Sequence, residues 1–371
     1  MAYKFDFRPY RRRFVRSLTT SHGNWDMRDG IILRLTDETG RVGWGEIAPI
    51  SWFGSETIEQ ALEFCHQLPA EITDKIIFSI PDELPACQFG FESAFEGLGI
   101  SDWGLGTGED EEDEKNNLIT PNSCTDAINE PARCGESSLR EGFPRCSDWR
   151  RVSTSSLSYS GLLSAGEAAL NQWETLWQQG YRTFKWKIGV DAIANELKIF
   201  ESLTQALPAS AKLRLDANGG LSYEEANLWL WNCDNIQANQ ALPLEIEFIE
   251  QPLPVGQLQG MLELSMCYRT AIALDESVAT LKQLERCYQQ GWRGIFVIKP
   301  GIVGSPSRLR QFCQHHKIDA VFSSVFETAI ARLAALQLAA ELSLHNRAVG
   351  FGVNHFFEPE ETWLHNIWNE L

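Results

Sequence analysis

Residues 213–218 read Leu-Arg-Leu-Asp-Ala-Asn, a short apolar run that ends in the carboxylate of Asp216. The same pattern returns at 247–252, Glu-Phe-Ile-Glu-Gln-Pro, and at 272–277, Ile-Ala-Leu-Asp-Glu-Ser. The interval between successive acids is about the length of one strand and one helix, which is typical of consecutive βα units. These segments therefore predict three neighbouring parallel strands, each with an acid at its carboxyl end.

The same alternation extends outward over residues 157–344. Short β-rich runs alternate there with segments of helical periodicity, which indicates a parallel sheet. So many units in one stretch favour an α/β barrel over an open sheet, and such a barrel places its chemistry at the carboxyl ends of its strands. The predicted strands are 184–188, 212–216, 246–250, 271–275, 294–299 and 319–326, and the predicted helices include 164–180, 191–207, 222–233 and 257–268.

The three strand-end acids, Asp216, Glu250 and Asp275, would lie side by side at one mouth of this barrel. A single acid in such a position is more often a helix cap or a solvated turn residue. Three in register are harder to explain in that way, because bare carboxylates packed together repel one another. A hard divalent cation removes the repulsion, and Mg²⁺ prefers oxygen ligands. The pattern therefore predicts a metal site.

Three lysines flank the acids in this pattern. Lys185 and Lys187 are two residues apart on a predicted strand and so project to the same face. Lys299 ends a strand on the opposite side of the predicted barrel. Two inward ammonium groups should lower the pKa of one of them, and a lysine with a lowered pKa can act as a general base. The alternative interpretation is a strand-end lysine that extends to solvent.

Residues 1–99 predict a small α+β domain ahead of the barrel. Tyr3, Phe5 and Phe7 alternate with polar residues, as in a strand with one buried face. Further strands are predicted at 31–35 and 41–47, and helices at 55–68 and 87–98.

Residues 100–150 differ in composition from the rest of the chain and predict a flexible acidic insertion ahead of a barrel domain at 151–344. This segment contains the acidic run Glu-Asp-Glu-Glu-Asp-Glu at 109–114 and no apolar period.

The wide spacing of the nine cysteines favours reduced thiols and a cytoplasmic location. A disulfide within the insertion stays open as an alternative, among Cys124, Cys134 and Cys146.

The charge of the chain argues against two classes of partner. It has 32 Lys and Arg residues against 50 Asp and Glu residues, for a formal net charge of −18. Nucleic acids and anionic membranes attract basic surfaces, so we expect neither as a partner. The sequence also contains no apolar run long enough for a membrane span. The composition is therefore that of an acidic globular protein.

At the strand ends the chain resembles the enolase superfamily, in its muconate-lactonising branch. The segment Gly-Trp-Gly-Glu-Ile-Ala-Pro at 43–49 resembles the capping domain of that family. Within the branch, residues 213–218, 323–328 and 350–352 are most similar to the o-succinylbenzoate synthase family. The barrel motifs that carry the resemblance are Lys-Trp-Lys at 185–187, Asp-Ala-Asn at 216–218, Ile-Glu-Gln-Pro at 249–252, Asp-Glu-Ser at 275–277 and Ile-Lys-Pro at 298–300.

The resemblance implies a modified TIM barrel, (β/α)7β, with an α+β capping domain. Residues 345–371 would complete the barrel and pack on the cap. Two capping loops, 19–29 and 49–57, would close over the substrate. The candidates for substrate contact in these loops are His22, Trp25, Trp52 and Phe53.

The resemblance also implies a chemistry. It is that of a Mg²⁺-dependent lyase, with Mn²⁺ as a substitute, that acts on a small carboxylate substrate. The reaction converts 2-succinyl-6-hydroxy-2,4-cyclohexadiene-1-carboxylate to 2-succinylbenzoate in menaquinone or phylloquinone biosynthesis. Lys187 would be the base, Lys299 would stabilise the intermediate and Lys185 would tune Lys187. The metal ligands would be Asp216, Glu250 and Asp275, and the substrate or supporting contacts would be Arg214, Asn218, Glu276, Ser323 and Ser324.

Two alternatives remain open at this point. An N-succinylamino-acid racemase or a dipeptide epimerase would use the same scaffold and both lysines. The epimerase is disfavoured because dipeptide epimerases tend to carry Asp-x-Asp after the last barrel helix, where this chain has His-Asn-Arg at 345–347. A non-catalytic ligand-binding barrel would be expected to lose a metal ligand or a lysine, and this chain keeps all of these positions.

Overall fold

The computed structural model describes residues 1–20, 23–98, 157–239, 244–353, 356–358 and 367–368. The predicted insertion at 100–150, with its three cysteines, and the cap-loop residue His22 lie outside the described residues. The other six cysteines are free thiols, and five of them are buried. No helix in the described part of the chain is both long and apolar enough to cross a bilayer.

The N-terminal part folds as a four-stranded antiparallel sheet packed against helices. The sheet order is β3-β2-β1-β4. Tyr3 and Phe5 of β1 are buried and Phe7 is partly buried, as the alternation predicts. The strands are β1 (Ala2–Thr20), β2 (Gly23–Thr36), β3 (Val42–Ile47) and β4 (Glu71–Thr73), and the helices are α1 (Ile58–Gln67), α2 (Asp74–Ile77) and α3 (Pro85–Gly97).

Two glycines let β3 lie directly on α3. A Cβ atom on Gly45 would stand 2.0 Å from the carbonyl oxygen of Gly90, and one on Gly43 would stand 1.9 Å from that of Ala94. We expect Gly45→Ala to lower the free energy of unfolding by about 1–3 kcal/mol, because the backbones would have to separate. Urea denaturation measures this loss.

Gly256 supplies the matched control for that measurement. A Cβ atom there meets nothing within 4 Å. We expect Gly256→Ala to leave the midpoint of unfolding within error of the parent protein. A Gly45→Ala variant that is as stable as this control would contradict the close packing.

The C-terminal part confirms the predicted barrel class. Seven parallel strands lie in sequence order from β5 to β11, and bridges from Tyr159 to Val349 and from Ser323 to Gly350 place an eighth extended segment between the two edges. The strands are β5 (Ser160–Leu163), β6 (Thr183–Lys187), β7 (Lys212–Asp216), β8 (Glu245–Glu250), β9 (Ile272–Leu274), β10 (Ile295–Ile298) and β11 (Ala320–Phe322). The helices are α4 (Ala169–Gln178), α5 (Ile193–Ala206), α6 (Tyr223–Ala238), α7 (Leu258–Cys267), α8 (Leu281–Gln289), α9 (Pro300–Val303), α10 (Pro306–His316) and α11 (Ala329–Leu342).

Strand alternation separates the core from the site. Outward residues such as Phe184 and Trp186 pack in the large core between sheet and helices. The inward residues form a separate small cluster in the lower layers of the barrel: Phe248, Ala273, Ile295, Val297 and Val321. Because the interior is filled below, polar side chains at the upper ends of the strands face a cavity.

The cap is joined to the barrel by buried polar contacts. Glu46 of β3 is fully buried and accepts hydrogen bonds from the Tyr10 hydroxyl at 2.6 Å and from the Thr328 amide at 3.0 Å. Thr328 is the N-cap of α11, so a cap carboxylate lies at the positive end of a barrel helix. Arg28 of β2 donates to the carbonyl oxygen of Val325 at 3.0 Å. These contacts set the position of the cap over the strand ends.

Candidate active site

A cavity of about 280 Å³ opens at the carboxyl ends of the barrel strands, with the cap forming one wall. Among the described residues, its barrel side is lined by Ser160, Leu162, Lys185, Lys187, Asp216, Asn218, Asp275, Glu276, Lys299, Ser323, Ser324, Phe326, Gly350, Gly352 and Val353. Its cap side is lined by Leu18, Trp25, Ile50, Trp52 and Phe53.

Strand register brings the three predicted metal-ligating acids together. Lys187 is paired with Asp216 between β6 and β7, and Asp216 is paired with Glu250 between β7 and β8. Asp275 directly follows β9 and lies two residues beyond the partner of Glu250. All three acids are buried, and Glu250 lies just below the lining of the cavity.

The Lys185 ammonium lies between two of these acids. Its Nζ is 2.8 Å from Oδ2 of Asp216 and 2.8 Å from Oε1 of Glu250. Burial by itself would lower the pKa of Lys185, but the charges of these two acids raise it above the usual value. The predicted lowering of a lysine pKa therefore does not occur at Lys185. Burial also raises the pKa of Glu250, and the neighbouring Asp216 and Asp275 add to that rise.

The donor set fits a hard divalent cation. It consists of carboxylate oxygens from three successive strands, which is the ligand type that Mg²⁺ prefers. In the present side-chain positions, no three Asp, Glu, His or Cys side chains of the described residues converge on one ion position. Asp216 and Glu250 face Lys185, and Asp275 contacts the Lys299 ammonium. In this arrangement the negative charge of the three acids is balanced by the ammonium groups of the two lysines.

Glu276 and Asn218 extend this polar group along the cavity wall. The Asn218 side-chain amide donates to Oε1 of Glu276 at 3.1 Å, and its backbone amide donates to Oδ1 of Asp216 at 3.1 Å. Oε2 of Glu276 is buried and has no hydrogen-bond partner among the described residues. A buried carboxylate oxygen requires a donor, so a water, a substrate group or a metal-bound water fits there.

Gln251, in the Ile-Glu-Gln-Pro motif at 249–252, is a positioning residue that was not among the predicted site residues. Its side-chain oxygen accepts from the backbone amides of Asp275 at 3.0 Å and Ser277 at 3.2 Å, and its side-chain nitrogen donates to the Ser277 hydroxyl at 2.8 Å. It is fully buried with a φ of 38°. Gln251 therefore ties the end of β8 to the segment that carries Asp275. Its place directly after Glu250 was the available signal.

Lys299 and Lys187 line the cavity from strands on different sides of the acids. The Lys299 ammonium lies 4.1 Å from the ring centroid of Phe53, in the cap loop that contains the one-turn helix Ser51–Phe53. Trp25 and Trp52 make an edge-to-face contact with centroids 4.9 Å apart. All three aromatic residues line the cavity, but Trp25 belongs to β2, so most of the predicted loop at 19–29 is strand.

The two predicted serines differ in what they can offer a substrate. The Ser324 hydroxyl donates to the Glu327 carboxylate at 2.9 Å, so its single proton is already committed. Among the described residues, the Ser323 hydroxyl makes one contact, of 3.5 Å to the carbonyl oxygen of Gly350, at the limit of hydrogen bonding. Ser323 is therefore the better donor toward a carboxylate.

Arg214 lies outside the cavity, unlike the other predicted contacts. It precedes Asp216 by two residues on the same face of β7, about 6.6 Å deeper in the barrel. Its guanidinium pairs with Glu247 at 2.7 Å and donates to the carbonyl oxygen of Ala348 at 2.8 Å. Of the two predicted roles of Arg214, a substrate contact or a supporting contact, its position below the cavity favours the supporting one.

Several lining residues had no predicted role, because they come from segments that meet only when the barrel closes. Ser160 and Leu162 belong to β5, and Gly350 and Gly352 to the extended segment beside it. A Cβ atom on Gly350 would stand 2.6 Å from the Ser323 hydroxyl oxygen. The Gly-Phe-Gly pattern at 350–352 was the only signal in the sequence.

Comparisons with known proteins agree with this architecture. The family model "Enolase C-terminal domain-like" matches residues 168–366, and the model "MenC, N-terminal domain" matches residues 14–98. The chain is similar to the o-succinylbenzoate synthase of Thermosynechococcus vestitus, with 38% identity over 95% of this chain and 93% of that protein. It is 24% identical to the L-Ala-D/L-Glu epimerase of Bacillus subtilis over 84% of this chain and 77% of that protein.

A solved structure extends the likeness over the full length. The o-succinylbenzoate synthase of Thermosynechococcus elongatus BP-1, complexed with Mg in its active site, superposes with a TM-score of 0.78 at 35% identity. The match covers 99% of this chain and 100% of that one. Together with the two family models and the cavity geometry, this similarity shows that the chain belongs to the o-succinylbenzoate synthase family of the enolase superfamily.

Proposed function

We propose that this chain is a Mg²⁺-dependent dehydratase that converts 2-succinyl-6-hydroxy-2,4-cyclohexadiene-1-carboxylate to 2-succinylbenzoate, in menaquinone or phylloquinone biosynthesis. The observation that carries the proposal is that Lys187 and Lys299 line one cavity on different sides of three buried acids at the strand ends. The 38% identity to an o-succinylbenzoate synthase supports this substrate. The six free cysteines agree with a cytoplasmic enzyme.

The first step is removal of the proton α to the substrate carboxylate. Lys187, in its neutral form, takes this proton from C1 of the ring. The C–H electron pair passes toward the carboxylate, which becomes a dianionic group. Asp216, Glu250 and Asp275 would hold Mg²⁺, and its positive charge would stabilise the negative charge on the substrate carboxylate. Lys299 adds an ammonium group from another side of the cavity, where it would stabilise the developing negative charge.

The second step is loss of the hydroxyl from C6. Lys187, now protonated, returns its proton to the departing hydroxyl, which leaves as water. The electron pair forms the C1–C6 double bond, so the ring becomes aromatic and Lys187 is neutral again. Lys185 lies between Asp216 and Glu250, two residues before the base on the same face, and holds local positive charge there. The Ser323 hydroxyl is placed to bind the succinyl carboxylate.

One assay separates this proposal from its nearest rival. The protein is incubated with Mg²⁺ and the cyclohexadiene carboxylate, and aromatisation is followed by absorbance. We expect dehydration that stops in excess chelator and returns when Mg²⁺ or Mn²⁺ is added. N-succinylamino acids are tested in D₂O alongside, because a racemase would use the same two lysines.

The outcomes of this assay are distinct. Rapid α-deuterium exchange without dehydration would replace the proposal by the racemase. Full activity in chelator would overturn the metal assignment. A change in melting temperature on adding Mg²⁺ provides a readout of metal binding that is independent of turnover.

A further inference from the structure

The loop from Ser323 to Thr328, between β11 and α11, contacts the cavity on one side and the cap on the other. Ser323, Ser324 and Phe326 line the cavity. From the cap, Arg28 donates to the carbonyl oxygen of Val325, and Glu46 accepts from Thr328. The loop is thus a wall of the active site that is attached to both domains.

Phe326 has an unusual backbone conformation in this loop. Its φ is 61°, in the left-handed region that bulky residues seldom adopt. Its amide donates to the Ser324 hydroxyl oxygen at 2.9 Å. Its ring packs edge-on against Phe14 and Trp25 of the cap, with centroids 5.6 and 5.5 Å away. A strained conformation at a cavity wall persists only where its surroundings hold it.

Glu327 stabilises the conformation of this loop through hydrogen bonds within it. It is buried and does not line the cavity. Its carboxylate accepts from the Val325 amide at 2.6 Å and from the Ser324 hydroxyl at 2.9 Å. The proposed mechanism uses neither a proton nor the charge of Glu327. Burial of a carboxylate costs folding free energy unless the group is hydrogen-bonded. The hydrogen bonds that the Glu327 carboxylate makes with other described residues go to Ser324 and Val325 of this loop.

We propose that Glu327 is a positioning residue for substrate binding, which holds Ser324 and the left-handed Phe326 so that this loop presents its Ser323 hydroxyl and the Phe326 ring to the substrate. The inference deepens the proposed function and rests on it. Glu327 accepts the single hydrogen bond that the Ser324 hydroxyl can donate. Ser324 therefore acts as an acceptor toward the Phe326 amide, and Ser323 remains the donor for a substrate carboxylate.

The charge of Glu327 gives this role a pH dependence. Burial raises the pKa of Glu327 to about 7, and the nearby charge of Glu46 adds to the rise. The other ionisable groups around these two acids are Tyr10, which donates to Glu46, and Arg28, which donates to Val325. Because the pKa is raised, the ionised acceptor forms as the pH rises through about 7 and is lost below it.

The test uses binding of the product, 2-succinylbenzoate, to the full chain in the presence of Mg²⁺, measured by calorimetry. We expect Glu327→Gln to raise the Kd for the product and the KM for the substrate by roughly tenfold, the effect of removing a charged acceptor, with little change in kcat. The control is Glu92→Gln, because Glu92 is also buried and accepts from the Ser307 amide at 3.0 Å, away from the cavity. It should leave both constants unchanged.

Two further measurements separate positioning from general stability. The ratio of Kd values between Glu327→Gln and the parent should fall toward one as the pH drops below about 7, because the parent then loses its own charge. Ser324→Ala removes the same hydrogen bond from the other side, so its effect and that of Glu327→Gln should not add. Ser324→Ala alone decides the matter if Glu327→Gln does not fold.

Equal product affinity in the parent, Glu327→Gln and Ser324→Ala would overturn the inference and leave the proposed function standing. So would an equal loss of affinity in Glu92→Gln. A parent protein that neither binds the product nor dehydrates the substrate would overturn the proposed function and this inference with it.

Discussion

Lys187→Ala is expected to lower kcat by about 10²–10⁴-fold, because general bases contribute rate enhancements of that order. The Lys187 side chain lines the cavity beside Asp216, its partner in the strand register. No other lysine of the described residues lines the cavity on the β6 side except Lys185, which is paired with two acids. Steady-state kinetics measure the loss, and circular dichroism shows whether the fold is kept.

Lys212→Ala is the matched control for that variant. Lys212 belongs to the strand next to Lys187 but lies at its opposite end, where it pairs with Glu245 at 3.0 Å on the surface. Removing it should leave kcat within about twofold, since exposed ion pairs contribute little. Appreciable turnover in Lys187→Ala would mean that another group removes the proton.

Glu250→Gln is expected to abolish turnover and to weaken Mg²⁺ binding strongly. The substitution keeps the shape of the side chain but removes one of three anionic ligands. It leaves the partly buried Lys185 ammonium with Asp216 as the only anionic partner of the two. We therefore also expect lower stability, because an uncompensated buried charge is costly. Titration calorimetry with Mg²⁺ measures the affinity, and thermal unfolding measures the stability.

Glu245→Gln tests whether the loss of Mg²⁺ binding and turnover depends on where in the strand the acid lies. Glu245 begins β8, five residues before Glu250, and is exposed. This control should bind Mg²⁺ as the parent does and keep its activity. Unchanged Mg²⁺ affinity in Glu250→Gln would show that Glu250 is not a metal ligand.

The barrel was predictable because its signal is local and repeated. The predicted strand at 212–216 coincides with β7, Lys212–Asp216, and the other predicted barrel strands overlap β6 and β8 to β11. An acid or a lysine at the end of five of the six predicted apolar runs marked the face and the edge of the sheet. Parallel strands in a barrel end at one mouth, so these positions alone indicated which side chains would lie together.

The contacts that hold those side chains could not be inferred in the same way. Gln251 binds the backbone around Asp275, and Glu327 binds Ser324, through hydrogen bonds whose partners depend on side-chain rotamers. Arg214 has the same inward direction as Asp216, so the sequence pattern does not distinguish them. Only depth in the barrel separates the two, and it places Arg214 with Glu247 and away from the cavity.

The sequence by itself determined the class of barrel, the order of six of its strands, β6 to β11, and the acids and lysines at their ends. Hydrophobic periodicity and spacing along the chain encode these features directly. The tertiary structure decided which cations lie between the acids, which serine keeps its proton for a substrate, and how the cap meets the loop at 323–328. These features depend on distances between segments far apart in the chain. Arg28 and Val325 are 297 positions apart in sequence, and they meet only because the cap folds back over the mouth of the barrel.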